Sequence, residues 1–154
     1  MRFLELKIPP PLVALITAVL MWRVTLFIPA ATAAIPLRMP IALLFALAGM
    51  VFDLTSLAAF FRARTTVNPL KPASVSALVC TGLYRYTRNP MYCGLLLMLL
   101  GWAVYLDNLA GPLCIPLFVM YLNRFQIIPE ERVLTEKFGA DYTAYQAKVA
   151  RWLW

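Results

Sequence analysis

Apolar residues fall into four blocks along the chain, and short polar segments separate them. The blocks cover residues 10–31, 40–61, 91–106 and 109–128. A helix needs about 20 apolar residues to cross the hydrocarbon core of a bilayer, with a range of about 17–25. Three blocks reach this length, and the third is slightly shorter but contains no charged residue. The pattern therefore predicts an all-α polytopic membrane protein with four transmembrane helices.

The pattern changes after Pro129, where apolar side chains recur every three or four residues. Such a stripe is typical of an amphipathic helix. Proline suits the first helical turn, and the two glutamates that follow suit the positive end of the helix dipole. We expect one helix from residue 129 to about 152, on the cytoplasmic side, with residues 151–154 as an interfacial anchor. The stripe consists of Phe138, Tyr142, Tyr145, Val149 and Trp152.

The connections between the blocks differ in length. Residues 107–112 read Asp-Asn-Leu-Ala-Gly-Pro, a turn that predicts an antiparallel hairpin of the third and fourth helices. Residues 62–89 form the longest polar stretch and contain Pro69, Pro72 and Gly82, so we expect largely irregular structure that folds over a site. Because the hairpin returns the chain to one membrane face, the segments before and after it lie side by side.

Composition supports a membrane protein. Hydrophobic residues make up 62% of the chain and charged residues 14%, whereas a soluble domain is roughly half apolar and a quarter charged. The length fits a single domain over residues 1–154. The net charge of +7 does not indicate nucleic-acid binding, because the basic residues flank apolar blocks rather than form a dense run.

The distribution of positive charge predicts the orientation. Lysine and arginine mark cytoplasmic loops. The loop between the first two blocks carries Arg38 alone, and the 107–112 turn carries no basic residue. Both termini and the polar stretch 62–89, called the middle segment below, are therefore predicted to face the cytoplasm. The bacterial inner membrane is the expected location. The basic residues on that side are Arg2, Lys7, Arg62, Arg64, Lys71, Arg85, Arg88, Arg124, Arg132, Lys137, Lys148 and Arg151.

Cysteine and histidine content limits the chemistry. The three cysteines are Cys80, Cys93 and Cys114, an odd number whose spacing matches no disulfide or metal framework. The sequence contains no histidine. A histidine zinc ligand and a histidine general base are therefore excluded, and we expect no metal site.

Two ionisable residues, Arg23 and Asp53, lie inside the first and second blocks. A charge inside a membrane span is costly and usually has a partner. At 1.5 Å per residue, their depths from the cytoplasmic ends differ by roughly one helical turn. The sequence predicts a buried ion pair between them, and the alternative is that Asp53 lines the substrate cavity.

Polar residues that suit a zwitterionic small molecule gather in two segments on the cytoplasmic side. The first, residues 82–94, reads Gly-Leu-Tyr-Arg-Tyr-Thr-Arg-Asn-Pro-Met-Tyr-Cys-Gly, and the second, residues 123–131, ends in Pro-Glu-Glu. With the later Phe138, Gly139, Tyr142 and Tyr145, the chain over residues 65–152 resembles the isoprenylcysteine carboxyl methyltransferase and phospholipid methyltransferase superfamily. Asn89 stands where that family has histidine, so no imidazole role is carried over.

The resemblance implies a methyltransferase that uses S-adenosylmethionine, with its cofactor region at about residues 82–94 and 121–152. Arg88 and Glu131 are the candidate catalytic residues. A guanidinium matches the cofactor carboxylate bidentately, and one glutamate of the pair at 130 and 131 is expected to receive the amino group or the ribose hydroxyls. The candidate cofactor-binding residues are Tyr84, Arg88, Asn89, Pro90, Tyr92, Gly94, Asn123, Glu130 and Glu131.

The resemblance leaves the methyl acceptor open. A lipophilic acceptor drawn from the bilayer is expected, either an isoprenylcysteine-like carboxylate or a phospholipid amine headgroup. Two other classes stay open as well: a membrane reductase of related architecture with a nicotinamide cofactor, and a non-enzymatic membrane partner. The Gly-x-Gly-x-x-Gly turn of soluble dinucleotide-binding proteins is absent from the sequence.

Overall fold

The structure is a computed structural model that describes residues 4–66, 68 and 70–153. Arg2, Val67, Pro69 and Trp154, which entered the charge, loop and anchor predictions, lie outside the described residues. The described part contains helices and isolated bridges but no β-strand, which confirms the all-helical class. The α-helices are α1 (Pro10–Phe27), α2 (Arg38–Arg62), α3 (Pro90–Leu106), α4 (Ile115–Leu122), α5 (Ile128–Phe138) and α6 (Ala140–Lys148).

Three helical stretches are long and apolar enough to cross a bilayer: Pro10–Phe27, Arg38–Arg62 and Gly111–Phe138. The remaining apolar helix, α3, has 17 residues and falls just short of that length. Large apolar side chains on the outer faces of α1 and α2 are exposed, as expected of surfaces that face lipid. Examples are Leu15, Val19, Leu26, Leu44, Leu47 and Val51.

Glycines bring the backbones of α2 and α3 together. A Cβ atom on Gly49 would lie 2.6 Å from the carbonyl oxygen of Gly94, and one on Gly101 would lie 2.8 Å from that of Ala42. Small residues permit such close approach of membrane helices, where van der Waals packing replaces the hydrophobic effect. The seven-residue spacing of Gly94 and Gly101 therefore serves helix packing.

The two short connections meet at one end of the bundle. Asp107 accepts hydrogen bonds from the backbone of Ile35 at 2.8 Å and from the Arg38 guanidinium at 3.2 Å. The backbone N–H of Leu109 donates to the carbonyl of Ala31 at 2.9 Å. The single basic residue that the sequence places in these connections is thus paired with an acidic one.

The N-terminal segment and the tail lie together at the opposite end. Glu5 forms ion pairs with Arg124 at 2.8 Å and Arg132 at 3.3 Å. The backbone N–H of Leu6 donates to the carbonyl of Phe125 at 3.0 Å. The chain therefore returns to its starting end after α4, as the predicted hairpin requires.

The tail differs from the single helix predicted for residues 129–152. A π-helical segment, Asn123–Ile127, joins α4 to α5 without a break. The tail helix is therefore continuous with the fourth apolar helix and does not begin separately at Pro129. Gly139 has φ +53° and separates α5 from α6, because glycine tolerates positive φ and ends the helical hydrogen-bond pattern. Beyond Lys148 the backbone is extended at Val149 rather than helical.

Candidate functional site

A cavity of about 350 Å³ lies at the end of the bundle that holds the tail. Its wall is built by the start of α1, the second half of α2, the segment 66–79, the start of α3, and helices α5 and α6. This volume lies in the range of about 300–1,000 Å³ that is typical of small-molecule sites. Most of the lining is apolar, and the polar side chains come from α2, from the segments 82–94 and 123–131, from the middle segment and from α6.

The structure brings six of the nine predicted cofactor-binding residues to the cavity wall, and three lie elsewhere. Pro90 occupies the first turn of α3 and is buried. Gly94 faces α2, where an added Cβ would lie 2.9 Å from the carbonyl oxygen of Gly49. Asn123 accepts a hydrogen bond from the Trp152 indole at 3.0 Å. The six residues at the wall are Tyr84, Arg88, Asn89, Tyr92, Glu130 and Glu131.

The Arg88 guanidinium is largely buried and is held from several sides. One terminal nitrogen donates to Glu131 at 2.7 Å, and the other donates to the backbone carbonyls of Gln146, at 3.2 Å, and of Val149. Its Nε has no hydrogen-bond partner among the described residues. The positive charge is therefore fixed in place, with one buried donor still available.

Glu131 binds two arginines at once. Besides Arg88, it accepts two hydrogen bonds from Arg151, from Nε at 3.0 Å and from Nη2 at 2.6 Å. These bonds raise the pKa of Arg151 above its ordinary value. The prediction that residues 151–154 form an interfacial anchor is therefore wrong for the described residues, since Arg151 pairs with Glu131 and Trp152 is only 4% exposed. These two side chains are unavailable to the membrane because the C-terminal segment docks on residues 82–94, the first of the two polar segments.

This docking is a short backbone pairing. Thr87 and Ala150 form a parallel bridge, and the N–H of Arg88 donates to the carbonyl of Ala150 at 2.9 Å. The carbonyl of Arg151 accepts from the Thr87 hydroxyl and from the Asn89 side-chain amide, both at 3.0 Å. Asn89 therefore acts as a donor that ties the start of α3 to the tail. Helical periodicity gave no signal for this contact.

Glu130 has neutral partners instead. Its carboxylate accepts from the Tyr92 hydroxyl at 2.8 and 3.0 Å and from the Gln126 side-chain amide at 2.8 Å. Gln126 was not predicted as a site residue. It lies in the π-helical segment, and π-helical turns within α-helices are often found at functional sites. Together Tyr92 and Gln126 fix the orientation of the carboxylate at the cavity wall.

The predicted ion pair between Arg23 and Asp53 is wrong. Asp53 packs against Gly94, in the second turn of α3, near the tail end of the bundle. Arg23 is exposed, and its guanidinium carbon lies 5.4 Å from the centroid of the Phe27 ring. Thr25, two residues further along α1, lies beside Gly111 at the other end of the bundle. The prediction compared the depths of the two residues by counting along each helix. Such a count does not include the shift of α1 and α2 along their axes relative to α3. The alternative fits, since Asp53 lines the cavity.

Two tail tyrosines also face the cavity. Tyr142 and Tyr145, which the sequence placed in the apolar stripe of the tail, both line it. The Tyr145 hydroxyl donates to the backbone carbonyl of Tyr84 at 2.7 Å. Burial raises the pKa of both phenols, so both remain protonated donors near neutral pH. Both side chains therefore belong to the cavity wall, and Tyr145 also ties α6 to the segment that precedes α3.

The middle segment covers one side of the cavity. Thr66, Asn68, Pro72 and residues 75–79 contribute to its lining, apart from Ser76. The Lys137 ammonium donates to the carbonyl of Ala73 at 2.6 Å and so ties this segment to α5. The middle segment therefore forms one wall of the cavity and is held there by α5.

Comparison with known proteins identifies similar sequences. The family model for phospholipid methyltransferases matches residues 37–141, more than half of the chain. An uncharacterised protein of Haemophilus influenzae is 46% identical over 63 residues, which is 41% of this chain and the whole of that protein.

Two further relatives are protein-S-isoprenylcysteine O-methyltransferases. The Saccharomyces cerevisiae protein is 37% identical over 82 residues, and an Arabidopsis thaliana protein is 41% identical over 76 residues. The matches cover 51% and 47% of this chain but only 33% and 37% of those proteins, so the chain corresponds to about a third of their length. No solved structure matches the chain.

Proposed function

The chain belongs to the phospholipid methyltransferase family of membrane proteins, and we propose that it transfers a methyl group from S-adenosylmethionine to a lipophilic acceptor. A single domain, residues 1–154, performs the reaction, with the cofactor region at residues 82–94 and 121–152. The observation that carries the proposal is the cavity, because its lining combines the candidate cofactor residues with an exposed apolar residue, Leu54.

The cavity wall suits the cofactor. S-adenosylmethionine, when bound, supplies a methyl group on a positively charged sulfur. Arg88, whose buried Nε has no partner among the described residues, is the candidate for its carboxylate. Glu130 is the better candidate for its positive groups, because Glu131 already pairs with two guanidiniums. Glu131 then acts as a positioning residue that holds Arg88.

The acceptor enters from the bilayer. Pro11 on α1 and Leu54 on α2 line the cavity and are both exposed on the outer surface. Both helices pack on α3 and both contribute residues to the cavity lining, which supports an entrance on this side. A lipid-like molecule can therefore place its polar end in the cavity while its chain stays in the hydrocarbon core.

The protein's contribution is orientation. Methyl transfer from a sulfonium is an in-line displacement in which the acceptor atom approaches opposite the sulfur, and the thioether leaves as S-adenosylhomocysteine. Holding the two reactants in line accounts for a large part of such catalysis. Arg88, Glu130 and Tyr92 fix one reactant, α2 and the start of α1 guide the other, and the middle segment excludes water.

The proposed topology has four crossings, with α3 as the short one and both termini in the cytoplasm of a bacterial inner membrane. The ion pairs of Glu5 with Arg124 and Arg132 join the N-terminal segment to the region after α4, which supports an even number of crossings. Helices α5 and α6 then lie at the cytoplasmic surface, where the water-soluble cofactor is available.

Calorimetry on the purified full chain in detergent tests the proposal. S-adenosylmethionine and S-adenosylhomocysteine are expected to bind, and a reduced nicotinamide dinucleotide is not. The Arg88→Ala variant is expected to lose about tenfold or more in cofactor affinity, because a hydrogen bond to a charged group contributes about 1.5–3 kcal/mol. Arg85→Ala is the matched control, since Arg85 is exposed and outside the cavity lining. If neither sulfur compound binds the unaltered protein, the proposal is wrong.

A further inference from the structure

Asp53 is an acidic residue in the cavity wall that the proposed cofactor site does not use. It lies on α2, and its Oδ1 is buried without a hydrogen-bond partner among the described residues. A buried polar atom left without a partner costs stability, so a donor from a ligand is the expected remedy. Leu54, the next residue of α2, also lines the cavity and is exposed on the outer surface.

Gly94 on α3 makes the room for this side chain. A Cβ atom at Gly94 would lie 2.3 Å from Oδ1 of Asp53 and 2.9 Å from its Cγ. Any larger residue at this position displaces the carboxylate. The fold therefore holds Asp53 in a defined notch between two helices, beside the cavity.

The charges around the cavity leave Asp53 uncompensated. Arg88 is the basic residue in the lining, and its guanidinium pairs with Glu131. The side chains that donate hydrogen bonds to Glu130, those of Tyr92 and Gln126, are neutral. Within the described part of the chain, no cation pairs with Asp53.

This charge balance distinguishes the two acceptor classes. An acceptor with a carboxylate brings a second negative charge next to Asp53 in a mostly apolar cavity, where like charges repel strongly. An acceptor with an amine brings a positive charge and N–H donors, which satisfy the unpaired oxygen and neutralise the site.

We propose that Asp53 binds the acceptor and selects a lipophilic primary or secondary amine over a carboxylate, an inference that rests on the proposed methyltransferase function. Asp53 accepts a hydrogen bond from the ammonium group and takes one of its protons, which leaves a lone pair on nitrogen. The N–CH₃ bond forms as the S–CH₃ bond of S-adenosylmethionine breaks, and sulfur keeps that electron pair. The N-methylammonium product and S-adenosylhomocysteine leave, and the proton on Asp53 passes to water.

The test compares two acceptors with the full chain in detergent. Labelled methyl transfer from S-adenosylmethionine is measured to dioleoylphosphatidylethanolamine, an amine, and to N-acetyl-S-farnesylcysteine, a carboxylate. The unaltered protein is expected to methylate the amine. The isosteric Asp53→Asn variant is expected to lose about tenfold or more in kcat/KM on the amine, mainly through KM, with the Kd for S-adenosylmethionine within about twofold. Asp141→Asn, an exposed acidic position on α6, is the control.

Three results overturn the proposal: methyl transfer to the carboxylate but not to the amine, unchanged amine turnover in Asp53→Asn, or a loss of cofactor affinity in that variant that equals its loss of turnover. A second measurement needs no variant, in case Asp53→Asn does not fold. Decylamine is expected to inhibit the unaltered protein at about tenfold lower concentration than decanoate, and equal inhibition overturns the proposal. Failure of the proposed function is separate, because S-adenosylmethionine then does not bind at all.

Discussion

Glu131 connects two arginines that come from distant parts of the chain. Arg88 precedes α3, whereas Arg151 lies beyond α6, and both donate to the same carboxylate. The pair on the Arg88 side is nearly buried, with 11% and 12% of the two side chains exposed. A buried ion pair contributes little net stability by itself, but removing one partner leaves charges uncompensated and is strongly unfavourable. Glu131 therefore determines where the Arg88 guanidinium stands.

The Glu131→Gln variant tests this role. It keeps the size of the side chain but removes the charge that two guanidiniums share, so both the stability of the tail docking and the affinity for S-adenosylmethionine are expected to fall. Loss of a hydrogen bond to a charged group costs about 1.5–3 kcal/mol. The measurements are thermal unfolding in detergent and calorimetric titration of the cofactor. Glu136→Gln, an exposed position on the same helix, is the control. Unchanged cofactor affinity in Glu131→Gln would contradict the assignment.

At the level of elements, the contact between α2 and α3 rests on glycine. Gly49 and Gly101 leave space that the carbonyl oxygens of Gly94 and Ala42 occupy. The obstacle to a larger residue is backbone, which cannot rotate away as a flexible side chain can. This contact also carries the site, because α2 contributes Asp53 and α3 begins with the first motif.

Gly101→Ala is expected to destabilise the protein by about 1–3 kcal/mol, the usual range for overpacking a close contact. The added Cβ would lie 2.8 Å from the carbonyl oxygen of Ala42. Gly111→Ala makes the same chemical change where the nearest atom is 3.7 Å away, an ordinary contact, so its effect is expected to be small. Thermal unfolding of both variants in the same detergent compares them. Equal unfolding midpoints would show that the contact adapts at no cost.

The sequence predicted most helices and missed contacts between distant segments. Apolar block length placed α1, α2 and α3 to within a few residues, because a bilayer-crossing helix has a characteristic length and composition. The break at Gly139 was missed, although the residue was visible, because the apolar stripe continues across it. The pairing of Thr87 with Ala150 and the shift between Arg23 and Asp53 depend on how helices are arranged in three dimensions, which periodicity along one helix does not contain.

The sequence predicted the part of the candidate site that lies in the two segments beside the hairpin. The motif residues Arg88, Glu130 and Glu131 meet at the cavity because the hairpin brings their segments together. Gln126 was missed because no pattern marked the π-helical segment. Arg151 was interpreted as a membrane anchor because its partner, Glu131, lies in another helix.

At the scale of the whole molecule, the bundle has two ends that carry different charges. Arg38 and Asp107 pair at the end with the short connections, and Glu5 pairs with Arg124 and Arg132 at the other. An even number of crossings is required if both termini are to share one side. The positive-inside rule predicts that this side faces the cytoplasm.

Single-cysteine variants test the topology. In a background without native cysteines, Pro36→Cys and Lys148→Cys place a thiol at exposed positions near the two ends of the bundle. A membrane-impermeant maleimide is expected to label the first variant in intact spheroplasts and the second only after permeabilisation. The reverse labelling would mean that the orientation is inverted, and labelling of both from one side would contradict the even number of crossings.

In the proposed function the acceptor reaches the cavity from the bilayer, past Leu54. Leu54 is 58% exposed and yet lines the cavity, so a larger side chain there narrows the route of the acceptor without touching the motif residues. Leu54→Trp is expected to raise the KM for a long-chain acceptor about fivefold or more, equal to roughly 1 kcal/mol, while the Kd for S-adenosylmethionine stays unchanged. Leu44→Trp, on the same helix and 67% exposed but outside the cavity lining, is the matched control. An equal rise in KM in both variants would indicate a general effect on the helix, and an unchanged KM in Leu54→Trp would mean that the acceptor enters elsewhere.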